Sequence, residues 1–471
     1  MTHILPVPYR LKLSQARASC GQGLTLALAW ALAALSQGAA ARCVDEDAFD
    51  RFSAEPPSAA VPAAEPRLQM QAMVREALGR SQAVGATALL AAAALQDIEE
   101  VRAAKSVQAS IGGGLGPGGN RSISGTENAA MQLRAGLNIS QLLYDSGRTD
   151  RLTDWRVQLA ESARYGHLSE QEQLALTTAT LALERSRYRM QAQVYRQNVR
   201  KMGCLVEALD SIVKTDRGRA SELAQAKKSL EQAELSQTQS QSSVRQVELR
   251  LRRLVGDGLA GIEGLSTVFS SIPPQEQLLA DVERAYDIAQ LGAQAAAANR
   301  YAEAVASGSG PQVSWAFNSA AAIASRNGGG NTASGGRSGS YSVGLTVNIP
   351  ILAPSVAPAS DAARKRAQAA AMQRAEALDA RRYRVAEVYE QAQSGLDRAR
   401  RLAEVLRSSE QVRSYTLQQW QQLGRRSLFD VMAAENEHYS LRVAYVNALH
   451  DVQQLNANLL SLGRGVNEWL R

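Results

Sequence analysis

One motif in the chain has the form of a phosphate cradle: Gly114-Leu115-Gly116-Pro117-Gly118-Gly119 satisfies G-x-G-x-x-G. In such a site the glycines let backbone N–H groups close on a pyrophosphate where a strand turns into a helix. Here alternating stretches flank the run and no helical pattern follows, so it reads as a hairpin loop. His3 falls in an N-terminal leader. His167, His438 and His450 lack the spacing and the Cys or carboxylate companions of a metal site, and read as helix-surface residues. Ser and Asp are plentiful, but no nucleophile elbow organises them. The arginine clusters Arg250, Arg252, Arg253 and Arg398, Arg400, Arg401 read as solvated helix faces, with Glu248–Arg252 and Asp397–Arg401 as i,i+4 pairs. No enzyme, cofactor or metal chemistry is expected. The balance of 52 Lys+Arg against 45 Asp+Glu is too even and dispersed for nucleic acid.

With no site to position, the question becomes what the elements build. The chain has 471 residues but only five Phe and five Trp, too few for three dense cores. Ala, Gln and Arg dominate long stretches poor in Gly and Pro, the composition of helices packed through narrow stripes. Residues 1–41 read as a secretory signal peptide: Arg10, Lys12 and Arg17, then the apolar run Leu24 to Leu35, then Ala39-Ala40-Ala41. Of the three cysteines, Cys20 leaves with this leader. Cys43 and Cys204 either pair or stay as thiols. Arg42 stands where a lipidation signal has a small residue, which argues against a lipidated Cys43. The longest uncharged candidate for a membrane helix, Gly85 to Leu95, has eleven residues, where a span needs roughly 20. If the chain enters a membrane, it must do so as strands.

The sequence is duplicated. An offset of 208 aligns Val74 with Val282, Ala77 with Ala285, Gly136 with Gly344, Leu137 with Leu345, Ala226 with Ala434, Leu251 with Leu459 and Leu254 with Leu462. A segment 42–67 precedes repeat 1 (68–254), the linker 255–277 joins it to repeat 2 (278–463), and a tail 464–471 follows. In each repeat a helix (Leu68–Ala104; Leu278–Ala306) leads into two alternating stretches, about 106–115 and 130–143 in the first and 312–325 and 340–352 in the second. Apolar Leu133, Leu137 and Ile139, or Tyr341, Val343, Leu345 and Val347, face away from polar Arg134, Asn138, Ser342 and Thr346. Long helices follow, 149–214 and 358–423, and return as 222–254 and 428–462. In the last, Leu428, Val431, Leu441, Tyr445, Leu449 and Val452 recur as a helix–helix seam.

Strands of about ten alternating residues with aromatics near their ends match outer-membrane barrel strands; half-buried hairpins of a soluble sandwich share that period. Four strands cannot close a barrel, and an open edge in hydrocarbon leaves unpaired N–H and C=O groups. Two chains would give eight strands and a filled interior, three would give twelve and a lumen. The expected fold is therefore mainly α with transmembrane β. It is a duplicated helix–β-hairpin–helix–helix unit assembling as a trimer, with a 12-stranded β-barrel on a long α-helical barrel.

This order resembles the TolC family of outer-membrane factors, across nearly the whole chain after the leader. The resemblance rests on the duplication, on Gly344-Leu345-Thr346-Val347-Asn348-Ile349-Pro350-Ile351-Leu352, and on Gly424-Arg425-Arg426-Ser427-Leu428-Phe429-Asp430-Val431-Met432-Ala433-Ala434-Glu435. It implies a homotrimer in the outer membrane of a Gram-negative bacterium, with a periplasmic tunnel narrowed at its far end. A periplasmic adaptor and an inner-membrane ABC transporter would dock there, with outer-membrane lipid around the barrel and an exported protein as cargo. By resemblance, Asp430 lines the constriction, and Arg426 ties the second hairpin to Ser221 and Glu222 of the first. Ala433 stands where a second acid is expected, and Gln421 where the family has a tyrosine. Leu423, Gly424 and Arg425, with Gly218 on the first hairpin, would meet the adaptor, although Thr215-Asp216-Arg217 departs from the apolar-Gly-x turn. The toxin-secretion subgroup is the nearest; drug efflux, or a periplasmic coiled-coil scaffold, are the alternatives.

Overall fold

A computed structural model of the chain describes residues 66–121, 127–259, 267–325, 336–423 and 426–471. The expected leader, most of the segment 42–67 including Cys43, and the tip residues Gly424 and Arg425 lie outside the described residues. The described residues fall in two compact units, a smaller one of Arg200–Lys227 and a larger one within Ala63–Val199 and Lys228–Arg471.

The larger unit opens with α1 (Pro66–Arg80) and α2 (Gln82–Ala103). The sequence predicts one helix here. Ser81 breaks it: its extended backbone and its Oγ, 3.3 Å from the Val84 nitrogen, cap a new helix, and the two axes bend by 60°. Strands β1 (Gln108–Arg121) and β2 (Glu127–Tyr144) follow, then α3 (Arg148–Thr215), and α4 (Ala220–Val255) returns. The second repeat has α5 (Gln275–Asp281), α6 (Tyr286–Ala306), β3 (Gln312–Ser325), β4 (Gly336–Asn348), α7 (Val356–Leu423) and α8 (Leu428–Leu462). With 68 residues, α7 extends about 100 Å. Pro358 fits its first turn, where a missing N–H costs nothing.

The strands form one antiparallel sheet in the order β1-β2-β3-β4, so a β2–β3 ladder joins the two repeats. The glycine run is not a loop. Gly114 to Gly119 is strand, paired with Arg134 through Ala129. Alternation was invisible there because glycine has no side chain, whereas backbone pairing needs none. Pro117 is tolerated because β1 is an edge strand.

The core gathers α1 (Met70, Met73, Val74, Ala77), α3 (Ala175, Ala179, Ala182, Leu183), α4 (Leu251, Val255), Phe269 and Ala457. Val466 and Leu470 join it from a short helix, α9 (Val466–Leu470). The expected tail is thus part of the core. Phe269, from the expected linker, is 1% exposed, and its carbonyl accepts Asn456 Nδ2–H at 2.8 Å.

In the smaller unit the described residues are the end of α3, a 3-10 turn Arg217–Arg219 and the start of α4, with Met202, Leu205 and Leu209 buried. Asp216 Oδ1 accepts the Gly218 N–H at 3.0 Å and closes the turn. Cys204 is disulfide-bonded, and its partner lies outside the described residues.

Candidate functional site

The sheet has two faces of opposite character. Ladder rows such as Ala109–Ile139–Phe317–Val343 and Leu115–Leu133–Ile323 are apolar, and Ile111, Leu115, Val343 and Leu345 are 84, 73, 72 and 70% exposed. Burying such a side chain is worth about 1.5–3 kcal/mol, so this face is unfit for water. The other face is small and polar: Ser110–Asn138–Asn318–Ser342, then Gly112–Gly136–Ala320–Ser340. Asn138 Nδ2–H donates to Asn318 Oδ1 across the β2–β3 ladder. From Leu133 to Leu143 the apolar face runs about 34 Å along the strand, and a tilt near 45° reduces that to about 24 Å, the height of the apolar band of an outer-membrane barrel. At its helix-proximal end Trp315 Nε1–H donates to Gln141 Oε1 at 3.0 Å, and Gln141 Nε2–H donates to the Lys105 carbonyl at 3.2 Å. An aromatic ring with a satisfied N–H is the side chain suited to a lipid–water boundary.

The turn from sheet to α3 is set by Asp145-Ser146-Gly147. Asp145 Oδ2 accepts the Thr149 N–H at 2.6 Å, capping the helix, while Ser146 and Gly147 take φ of 59° and 76°. Ser146 lies so close to Gly310 that a Cβ there would meet Ser146 Oγ at 2.1 Å, so only glycine fits.

At the second hairpin tip Ser427 and Asp430 form a capping box: Ser427 Oγ accepts the Asp430 N–H at 3.3 Å, and Asp430 Oδ2 accepts the Ser427 N–H at 3.2 Å. Arg426 Nη1 stands 3.8 Å from Asp430 Oδ2, and Arg426 Nε–H donates to Gln419 Oε1 at 3.2 Å. Both members of this ion pair are about half exposed, so it adds well under 1 kcal/mol. Leu423 closes α7. Ser221, Glu222 and Gly218 belong to the smaller unit, where Glu222 lies in the first turn of α4 and Ser221 is exposed.

Above the tip, α7 and α8 bury charge. Glu435 is fully buried and His438 and Arg442 are nearly so. Arg413 bridges Glu410 at 2.6 Å and Glu435 at 3.4 Å. His438 Nε2 lies 3.1 Å from Glu410 Oε2, and its Nδ1 lies 3.4 Å from Ser409 Oγ. His438 and His450 are therefore not helix-surface residues. His450 Nδ1–H donates to the Val446 carbonyl at 2.9 Å, and burial lowers its pKa. The expected i,i+4 pairs are replaced as well. Glu248 reaches across to Arg185 at 3.0 Å and Arg189 at 2.5 Å, and Asp397 pairs with Arg400 at 3.5 Å. At Glu248 the partner Arg185 on the facing helix is buried with it, which a neighbour on the same helix face would not be.

A second polar junction, missed in the sequence, binds the C-terminus. Glu172 of α3 accepts the N–H groups of Val466 and Asn467 at the start of α9. Gly465 comes so close that a Cβ would meet Glu172 Oε2 at 2.6 Å, at φ +107°. Burial pushes Glu172 up to about 7, against the opposing pull of those N–H groups and of Arg381. Arg381 of α7 bonds Asp287 of α6 and the carbonyls of Ser461 and Leu462 at 2.9 Å each. One cation thus ties α6, α7 and α8 together. No pattern marks Glu172 within Ser169-Glu170-Gln171-Glu172-Gln173.

No protein-family profile and no curated protein matches the chain by sequence. Solved structures do match by fold. The chain is similar to CusC, studied for folding and transmembrane channel formation, at a TM-score of 0.72 and 18% identity, over 84% of this chain and 92% of that one. It is similar to the outer-membrane protein VceC of Vibrio cholerae at 0.69 and 16%, over 84% and 96%. It is similar to the CmeC outer-membrane channel of Campylobacter jejuni at 0.70 and 12%, over 88% and 90%. The fold is that of these outer-membrane channels.

Proposed function

We propose that the chain is a TolC-like outer-membrane factor: a homotrimer whose three four-stranded sheets close one twelve-stranded barrel above a helical tunnel, a passive conduit with no catalytic step. The observation that carries this is the sheet. Its apolar face is uncovered, and the outer edges of β1 and β4 have no strand partner among the described residues. Lipid satisfies the face and identical neighbours satisfy the edges. The protein would then resist carbonate extraction and conduct ions in planar bilayers. Release by carbonate without conductance would favour a periplasmic scaffold and overturn the conduit.

Within that reading, the tip of α7 and α8 is the gate. Three Asp430 carboxylates around the axis repel one another and gather cations, and three Arg426 side chains offset them. Ser221 and Glu222 on the first hairpin serve as closing partners of Arg426, and Leu423, Gly424, Arg425 and Gly218 meet a periplasmic adaptor. The finer assignment is to the exit duct of a type I system exporting a protein toxin, as in CyaE-like components, with an inner-membrane ABC transporter supplying energy. Co-purification with an ABC transporter and its adaptor tests it, and co-purification with a drug-efflux pump instead would reverse it.

A further inference from the structure

We propose that Arg134, with its two symmetry copies, forms a cationic ring inside the barrel lumen that binds polyanions entering or leaving at the outer end. The inference rests on the trimeric-barrel reading and deepens it.

The four strands contain only four charged residues: Arg121, Glu127, Arg134 and Arg337. Arg121 and Glu127 face each other in register where the β1–β2 hairpin ends. Arg337 shares its ladder row with Ile323, Leu133 and Leu115, on the apolar face. Arg134 alone lies on the small, polar face, the one that fronts water once the apolar face meets lipid. Its row is Gly114, Arg134, Ala322 and Ser338, so nothing tall stands beside the guanidinium and no acid faces it from either flanking strand. Gln132, two residues away on the same face, accepts from both Nε–H and Nη2–H at 2.9 and 2.6 Å. A neutral amide thus fixes the guanidinium's direction and leaves its charge uncompensated, with Nη1 open to the lumen.

The rest of the lumen face is Gly, Ala, Ser, Asn and Gln through the neighbouring rows, so among the described residues a solute there meets no charge but this ring. The Asp430 tip is removed from the sheet by the whole of α7, about 100 Å, against a Debye length of about 10 Å at 0.1 M salt. The two rings therefore act independently: acids at the helix tips, cations near the exit. Three guanidinium groups on one ring attract a multivalent anion more strongly than chloride, because the Coulomb attraction grows with the anion's charge.

The test is block of single-channel current by tripolyphosphate added to the barrel side of a planar bilayer. The wild type is expected to show block from that side, the half-blocking concentration to rise about tenfold in Arg134→Gln, equivalent to about 1.4 kcal/mol, and block to persist in Arg134→Lys. Asp430→Ala should block as the wild type does. Equal block in the wild type and Arg134→Gln, or no block in a conducting wild type, would overturn the ring and leave the channel standing. A wild type that forms no channel at all would overturn the barrel itself.

Discussion

Ser427 and Asp430 hold each other's backbone N–H: the serine hydroxyl takes one, the aspartate carboxylate the other. The carboxylate proposed to line the constriction is thus also a helix cap, and the two roles separate by mutation.

Ser427→Ala removes one cap bond and should lower stability by about 1 kcal/mol without changing ion selectivity, because the charge stays. Asp430→Ala should cost a similar amount and also lower cation preference, read as a shift in reversal potential across a KCl gradient. Equal selectivity in the two variants would reduce Asp430 to a helix-start residue.

Arg426→Ala breaks an exposed pair at 3.8 Å, so its thermal midpoint should match the wild type. Single-channel conductance should nevertheless rise, because the acids at the tip lose their compensation. Unchanged conductance would remove Arg426 from the gate.

Glu172 gives a pH dependence whose sign follows from its direction of shift. Its folded pKa of about 7 lies above the ordinary 4.5, so the folded state holds a proton that the unfolded chain releases. The resulting stabilisation is complete below pH 4.5 and is lost as pH rises through 7, by about 3 kcal/mol. Glu172→Gln should erase this component: its stability relative to the wild type should climb between pH 5 and pH 8 in denaturant titrations. A pH-independent difference would refute the buried proton.

The sequence holds two cysteines besides the disulfide-bonded Cys204, and only Cys43 lies beyond the expected leader. A non-reducing peptide map of the exported protein should join the Cys43 and Cys204 peptides. An acylated Cys43 would contradict this.

What could be read in the sequence follows the physics of side-chain period. Tyr341, Val343, Leu345 and Val347 announced a strand because every second side chain meets a different solvent, and the 208-residue offset exposed the duplication. The Gly114–Gly119 run carries no such signal, so its strand reads as a loop. In α8, the seam through Leu428, Val431 and Val452 is legible, but Glu435 and His438 are buried beside it because Arg413 and Glu410 of α7 meet them there. By polarity alone His438 reads as a surface residue. Glu172 and α9 escaped notice because their bond joins residues 294 apart in a five-residue helix too short to show a period.

In the proposed assembly, one chain's β1 and β4 edges are sealed by identical neighbours. Native mass spectrometry of the detergent-solubilised protein measures this most directly. Three protomers per particle is the predicted mass; a single, water-soluble protomer would contradict the account.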